Sequence, residues 1–300
     1  METETKDLST HPLTGGKIAA DPGPWTTVIR PRHPWFNLNL AELWGYRDLI
    51  RLFVRRDFVA QYKQTILGPL WFFLQPLFTT IVFTIVFGRI AKIPTDGIPD
   101  FLFYLSGTVC WAYFASCFSE TSDTFVKHAA IFGKVYFPRL VVPVSIVMVN
   151  LFKFLIQFVL FLIFLIYYYQ QGATLNPNLG VLALPFLILQ MAFLGIGCGI
   201  LVSSLTTKYK DLSLVVTFGV QLWMYATPVV YPLSQIPEKY RSVFALNPMV
   251  AVVEGFRGAF LGTSALTPQY VATSLLVTLT LLFIGLVLFS RVEKTFMDTV

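Results

Sequence analysis

The sequence predicts an all-α integral membrane protein. It should have six transmembrane helices, an amphipathic N-terminal helix at the interface, and re-entrant outer helices before the last span. Three observations carry this. Hydrophobic residues make up 55% of the 300-residue chain and charged ones only 13%, about half the charged share of a soluble domain. Mean hydropathy is +0.67. Six windows are apolar over the ~20 residues that a helix needs to cross a ~30 Å hydrocarbon core. The composition disfavours a soluble enzyme, a disordered chain and a nucleic-acid binder.

Residues 1–40 come first. Pro12, Pro22, Pro24, Pro31 and Pro34 fall here among glycines and few apolar residues. With no apolar h-region this is no signal peptide, and it reads as a flexible tail. A docking arm for a partner is the other reading. Residues 41–300 form the membrane domain. Its first element, 41–63, places Leu43, Tyr46, Leu49, Ile50, Phe53, Phe58 and Tyr62 on one broad helical face, with Arg47, Asp48, Arg51 and Arg55 mostly opposite. Such a helix lies in the membrane interface. Arg55, Arg56 and Lys63 serve either as a generic anchor or as a contact for an anionic lipid headgroup at a pore entrance.

The spans are expected at 66–88, 101–119, 140–168, 179–205, 213–235 and 270–290. Five contain no Asp, Glu, Lys or Arg, and the third contains Lys153 alone. Continuous apolar runs without period-two alternation favour helices over a barrel. Counting Lys and Arg by loop gives twelve on one side and five on the other. The positive-inside rule then places both ends of the membrane domain in the cytoplasm, as an even number of spans requires.

Two connecting segments are more than loops. Residues 120–139 mix Phe125, Ile131, Phe132, Tyr136 and Phe137 with charges, around a short helix at about 122–132 that stops at Gly133. This suits docking on a cytoplasmic partner or a loop at headgroup level. Residues 233–269 form the longest loop, and 244–262 is apolar enough to enter the membrane. It carries Glu254 and Arg257 at i, i+3, where they can pair. A seventh full span would break the charge count. A re-entrant pair, broken at Asn247-Pro248 and at Gly255 or Gly258, fits better, and should cap or line a pathway.

Catalytic chemistry is missing from the pattern. No carboxylate lies in any predicted span, no phosphate-cradling loop occurs, and the three cysteines and three histidines make no metal-ligand spacing. No catalytic residue, metal or cofactor of its own is expected. Lys153 costs about 2.5–3.5 kcal/mol at mid-membrane on insertion scales, so it should face protein or water. With Asn150 and Gln157 it makes a polar stripe, read either as a helix–helix network with a partner such as Glu254 or as a substrate contact. Gln75 and Thr79 in the first span, Trp111 and Tyr113 in the second, and Gln221, Trp223 and Tyr225 in the fifth offer aromatic faces with uncharged hydrogen-bonding groups. That mixture suits a passage for a neutral glycan, and equally an interfacial aromatic belt.

Four blocks carry a resemblance: DLIRLFVRRDFVAQYKQTILGPLWFFLQP (48–76), the KYKDL turn at 208–212, TPVVYP (227–232) and LNPMVAVVEGFR (246–257). Over about 40–298 the chain resembles ABC-2 type (type V) exporter permeases for polysaccharides, the Wzm-like membrane subunits for O antigen, capsule or teichoic acid. The resemblance implies a homodimer with two cytoplasmic ABC ATPase subunits, which bind ATP and Mg and in some systems carry a carbohydrate-binding domain. It implies export of a glycan on an undecaprenyl-pyrophosphate anchor across a bacterial inner membrane, through a channel lined by the first, second and fifth spans. Segment 122–137 would be the coupling helix, with Phe125, Ile131, Tyr136 and Phe137 docking the ATPase. Segment 233–262 would close the channel's far side. Under this reading the protein is a transport subunit and not an enzyme. A permease of the same type for a lipid or drug is the rival.

Overall fold

The computed structural model describes residues 40–63, 67–135, 137–206, 211–263 and 266–299. The expectations for residues 1–39 and for Tyr136 therefore lie outside the described residues. Those described form helices and turns, with no strand among them.

The interface helix is split into α1 (Leu40–Gly45) and α2 (Arg47–Tyr62). The first span is α3 (Trp71–Phe83), continued by a wider helical stretch over Thr84–Ile90. Then follow α4 (Asp100–Ser122), α5 (Thr124–Phe132), α6 (Val141–Gln170) and α7 (Leu184–Thr206, led in by a 3₁₀ turn at Leu179–Ala183). The chain ends with α8 (Leu212–Tyr225), α9 (Glu238–Ala245), α10 (Pro248–Leu261) and α11 (Pro268–Thr299). Among the described residues, five helical stretches are long and apolar enough to cross a membrane: Trp71–Ile90, Asp100–Ser122, Val141–Gln170, Leu179–Thr206 and Pro268–Val292.

The fifth expected span is corrected. Residues 213–235 are not one helix: α8 has 14 residues, roughly 21 Å at 1.5 Å per residue, short of the ~30 Å core. Pro228 lies just past its end, where a ring without an N–H costs a helix one bond and crowds the turn before it, and Pro232 lies beyond. A bent pair stands where the re-entrant helices are expected, with α9 and α10 meeting at 104°. Asn247 caps α10 through its side chain, and Pro248 occupies the first helical turn, as helix N-termini prefer. Contrary to expectation α10 does not break at Gly255 or Gly258. Both stay helical up to Gly262, which ends the helix at φ +83°.

The bundle is built around α4, whose residues 102–111 are all buried. It packs on α7, α6, α3, α10 and α8. Close approach of α7 depends on small residues, as helix contacts in lipid commonly do. A Cβ at Gly199 would lie 2.5 Å from that of Thr121 on α4, and one at Gly197 would lie 2.8 Å from the Leu282 backbone on α11.

The end of the bundle that carries α5 has its own aromatic core. Phe125 stacks on Phe289 of α11 at 4.8 Å, Phe132 meets Phe137 at 5.7 Å, and Phe137 meets Phe53 of α2 at 5.9 Å. Thus α2 and the last turns of α11 converge on the same end of the molecule.

Candidate functional site

Where α8 stops, backbone carbonyls lose their helical partners. In an apolar surrounding each would cost several kcal/mol if left bare. Side chains from α10 and its cap take their place. Asn247 Nδ2 donates to the Ala226 carbonyl and to Thr227 Oγ1, both at 3.0 Å. Asn247 Oδ1 accepts from the Trp223 indole N–H and from the Met249 amide, both at 3.1 Å. Arg257 donates to the Pro228 carbonyl (2.5 Å), the Val229 carbonyl (2.7 Å) and the Phe103 carbonyl (3.4 Å). It also reaches Ser106 Oγ at 3.3 Å and lies over the Phe103 ring at 3.6 Å.

Arg257 is 1% exposed, and its expected partner Glu254 lies 3.5 Å away. The buried charge is therefore paired and hydrogen-bonded, the condition under which burial is tolerated. Beside it, a cavity of about 210 Å³ is lined by Asp96, Phe103, Pro232, Ser234, Glu254, Arg257 and Thr263. Ser234 Oγ donates to the Asp96 carboxylate at 2.9 Å, tying the α3–α4 loop to the stretch after α8.

The seven expected pathway residues divide. Gln75 on α3 and Gln221 and Tyr225 on α8 are exposed, and Thr79 is half-buried with its hydroxyl returned to the Gln75 carbonyl at 3.0 Å. Trp111 and Tyr113 point inward, at 6% and 3% exposure. Tyr113 packs on Phe154 at 5.3 Å, while Trp111 and Phe114 hold the Trp223 ring at 6.4 and 5.1 Å. These rings belong to the core that α4 shares with its neighbouring helices. The exposed faces of α3 and α8 bear Trp71, Phe78, Phe218 and Leu222 beside the two glutamines.

Arg55, Arg56 and Lys63 are exposed on and just after α2. Arg56 pairs with Asp57 at 2.7 Å and lies over the Phe53 ring at 4.6 Å. Of the docking residues, Phe125 and Phe137 are buried in the aromatic core and Ile131 is half-buried. The two phenylalanines pack inward and hold the α5 segment to the body. The outward side chains of the segment are Val126, Lys127, Ala130, Lys134 and Val135. Lys153 does not reach Glu254. Its ammonium pairs with Glu120 at 3.0 Å, and Asn150 Nδ2 binds the other oxygen of that carboxylate at 2.9 Å. Helix α4 runs on past the expected span end at 119, which brings Glu120 into the bundle.

Three relatives agree with this architecture. The chain is 28% identical to the O-antigen export system permease protein RfbA of Klebsiella pneumoniae, over 87% of this chain and 96% of the relative. It is 30% identical to the protein of the same name from Myxococcus xanthus, over 74% and 83%. It is 24% identical to the polysialic acid transport protein KpsM of Escherichia coli, over 81% and 93%. The profile described as ABC-2 type transporter matches residues 48–261, a stretch that runs from α2 to the last residue of α10. With α2, four of the five spans and the bent outer pair inside that match, the chain belongs to the ABC-2 type transporter family of membrane proteins.

Proposed function

We propose that this chain is the permease subunit of an ATP-driven exporter of an undecaprenyl-pyrophosphate-linked polysaccharide. O antigen is the first choice of cargo. The observation that carries the reading is the likeness, over most of the chain, to transport proteins named for O antigen or polysialic acid. The capsule-type reading rests on a 22% identity to the capsule polysaccharide export inner-membrane protein CtrC of Neisseria meningitidis. Both belong to one transport chemistry.

In this reading the α5 end faces the cytoplasm, with the N-terminal region and the C-terminus on that side, in a bacterial inner membrane. Two protomers pair, and two ABC ATPase subunits, with or without a carbohydrate-binding domain, supply the bound ATP and Mg²⁺. The exposed part of α5, with Val126, Lys127 and Ala130, meets the ATPase. Phe125 and Phe137 carry its displacement to α11 and α2. Gln75, Gln221 and Tyr225 sit on faces of α3 and α8 that a passage between protomers would use. Their amides and hydroxyl bond sugar hydroxyls without holding them by charge, so a long glycan can slide. Arg55, Arg56 and Lys63 meet the pyrophosphate at the cytoplasmic surface. The Arg257 cluster holds the far end closed.

The test is purification through a tag on this chain, with surface glycan measured in cells lacking it. An ABC ATPase should co-purify, and the glycan should disappear from the surface and return with the gene. Full glycan export by the chain without any ATPase would overturn the reading.

A further inference from the structure

The Glu120 carboxylate is held at both oxygens by one helix. Lys153 Nζ takes Oε1 at 3.0 Å, Asn150 Nδ2 takes Oε2 at 2.9 Å, and Asn150 also donates to its own Ile146 carbonyl at 3.1 Å. Asn150 is 1% exposed, and the Lys153 side chain is largely covered. Elsewhere the α4–α6 contact includes ring pairs such as Tyr113 on Phe154 and Phe101 on Phe164. Apolar surfaces slide past one another at little cost, whereas a charge-assisted bond between two fixed side chains loses most of its strength with a small displacement. The clasp therefore sets the register of α4 against α6.

Its position in the chain gives that register a use. Helix α4 ends at Ser122 and α5 begins at Thr124, with Asp123 alone between them. Helix α6 begins at Val141. Glu120 and Lys153 thus close a loop of chain that holds α5, the segment after it and the first turns of α6. We propose that the Glu120–Lys153–Asn150 clasp is a positioning element for energy coupling: it joins the α4 and α6 flanks of α5 into one lever, so that a push on α5 moves both helices together. This rests on the reading that α5 receives its push from a partner ATPase. Without the clasp, α4 could yield while α6 stayed, and the push would be absorbed locally.

The experiment measures coupling and not stability. The complex is purified from its own cells through a tag on this chain and placed in liposomes of native lipid, where ATP hydrolysis is read as phosphate release. Surface glycan is quantified in the same cells, and both values are divided by the amount of permease in the membrane. Glu120→Asp keeps the charge but withdraws the carboxylate by one methylene, beyond reach of both donors, and folding should tolerate it. Lys153→Arg keeps the reach.

Glycan exported per ATP hydrolysed should fall about fivefold in Glu120→Asp, with hydrolysis retained, and stay near the parent value in Lys153→Arg. The charge-swapped pair Glu120→Lys with Lys153→Glu should recover part of the loss. An unchanged ratio in Glu120→Asp, or export and hydrolysis falling together, would overturn the proposal. Failure of the underlying reading shows separately, as absence of a co-purifying ATPase from the parent protein before any variant is made.

Discussion

Arg257 on α10 donates to the backbone carbonyl of Pro228, 29 residues earlier, at the point where α8 can no longer continue as a helix. One guanidinium also serves Val229 and Phe103, so a single side chain joins α10, the stretch after α8 and the start of α4. Arginine suits this post because its donors form a planar fork, which a lysine ammonium does not reproduce.

Arg257→Met should therefore do two kinds of damage, baring those carbonyls and leaving Glu254 buried without its cation. The expected loss is about 3–5 kcal/mol, the range for breaking a buried pair on one side. Arg257→Lys keeps the charge but not the fork and should lose less. Thermal unfolding in detergent, followed by tryptophan fluorescence, ranks the three proteins.

Two glycines should respond in opposite ways. Gly197→Ala puts a methyl against the Leu282 backbone at 2.8 Å, and backbone cannot move aside as a side chain can. A loss of about 1–3 kcal/mol is expected, as for other overpacked sites. Gly219 in α8 has nothing within 4 Å of an added Cβ. Gly219→Ala should leave stability unchanged or raise it by about 0.5–1 kcal/mol through helix propensity. The same unfolding assay reads both.

Phe125 and Val126 are neighbours with different duties. Phe125→Ala opens the aromatic core between α5 and α11 and should cost about 3–5 kcal/mol. Val126→Asp lies on the exposed side, so the isolated permease should melt as the parent does. Co-purification of the partner ATPase should weaken, and a pull-down quantified against permease separates the two effects.

His128 on α5 titrates below its ordinary value of 6.5. Burial is the main cause, with Arg56 and Lys127 acting the same way, while the bond to the Thr124 carbonyl and nearby Asp57 act against it. The folded protein thus holds the imidazole neutral, and the unfolded chain takes up the proton first as pH falls. The stability tied to this group is complete above about 6.5 and is lost as pH drops toward the lower folded value, below which the loss stops growing. Melting temperature should fall over that window, and His128→Gln should flatten the fall.

Much of this fold is legible in sequence because the signals are local. Apolar length marks the spans, and Asn247-Pro248 marks the hinge of the re-entrant pair. The short α8 was within reach too, since Pro228 and Pro232 stand inside the expected 213–235 span. An apolar window counts residues and does not register where a backbone must stop being helical. Phe125 and Trp111 show the other kind of miss. Their apolarity is plain, but a ring that docks a partner and one that fills the core have the same composition.

Local composition is enough to set the membrane class, the two special segments and the need of Lys153 for a protein or water partner. Which groups Lys153 and Arg257 meet is decided by packing. Lys153 meets Glu120 from the segment that follows the expected second span, and Arg257 meets carbonyls 28 and 29 residues away at Val229 and Pro228. The physical reason is that helical periodicity fixes which side chains share a face, while the neighbour of that face is set by packing between segments far apart in the chain.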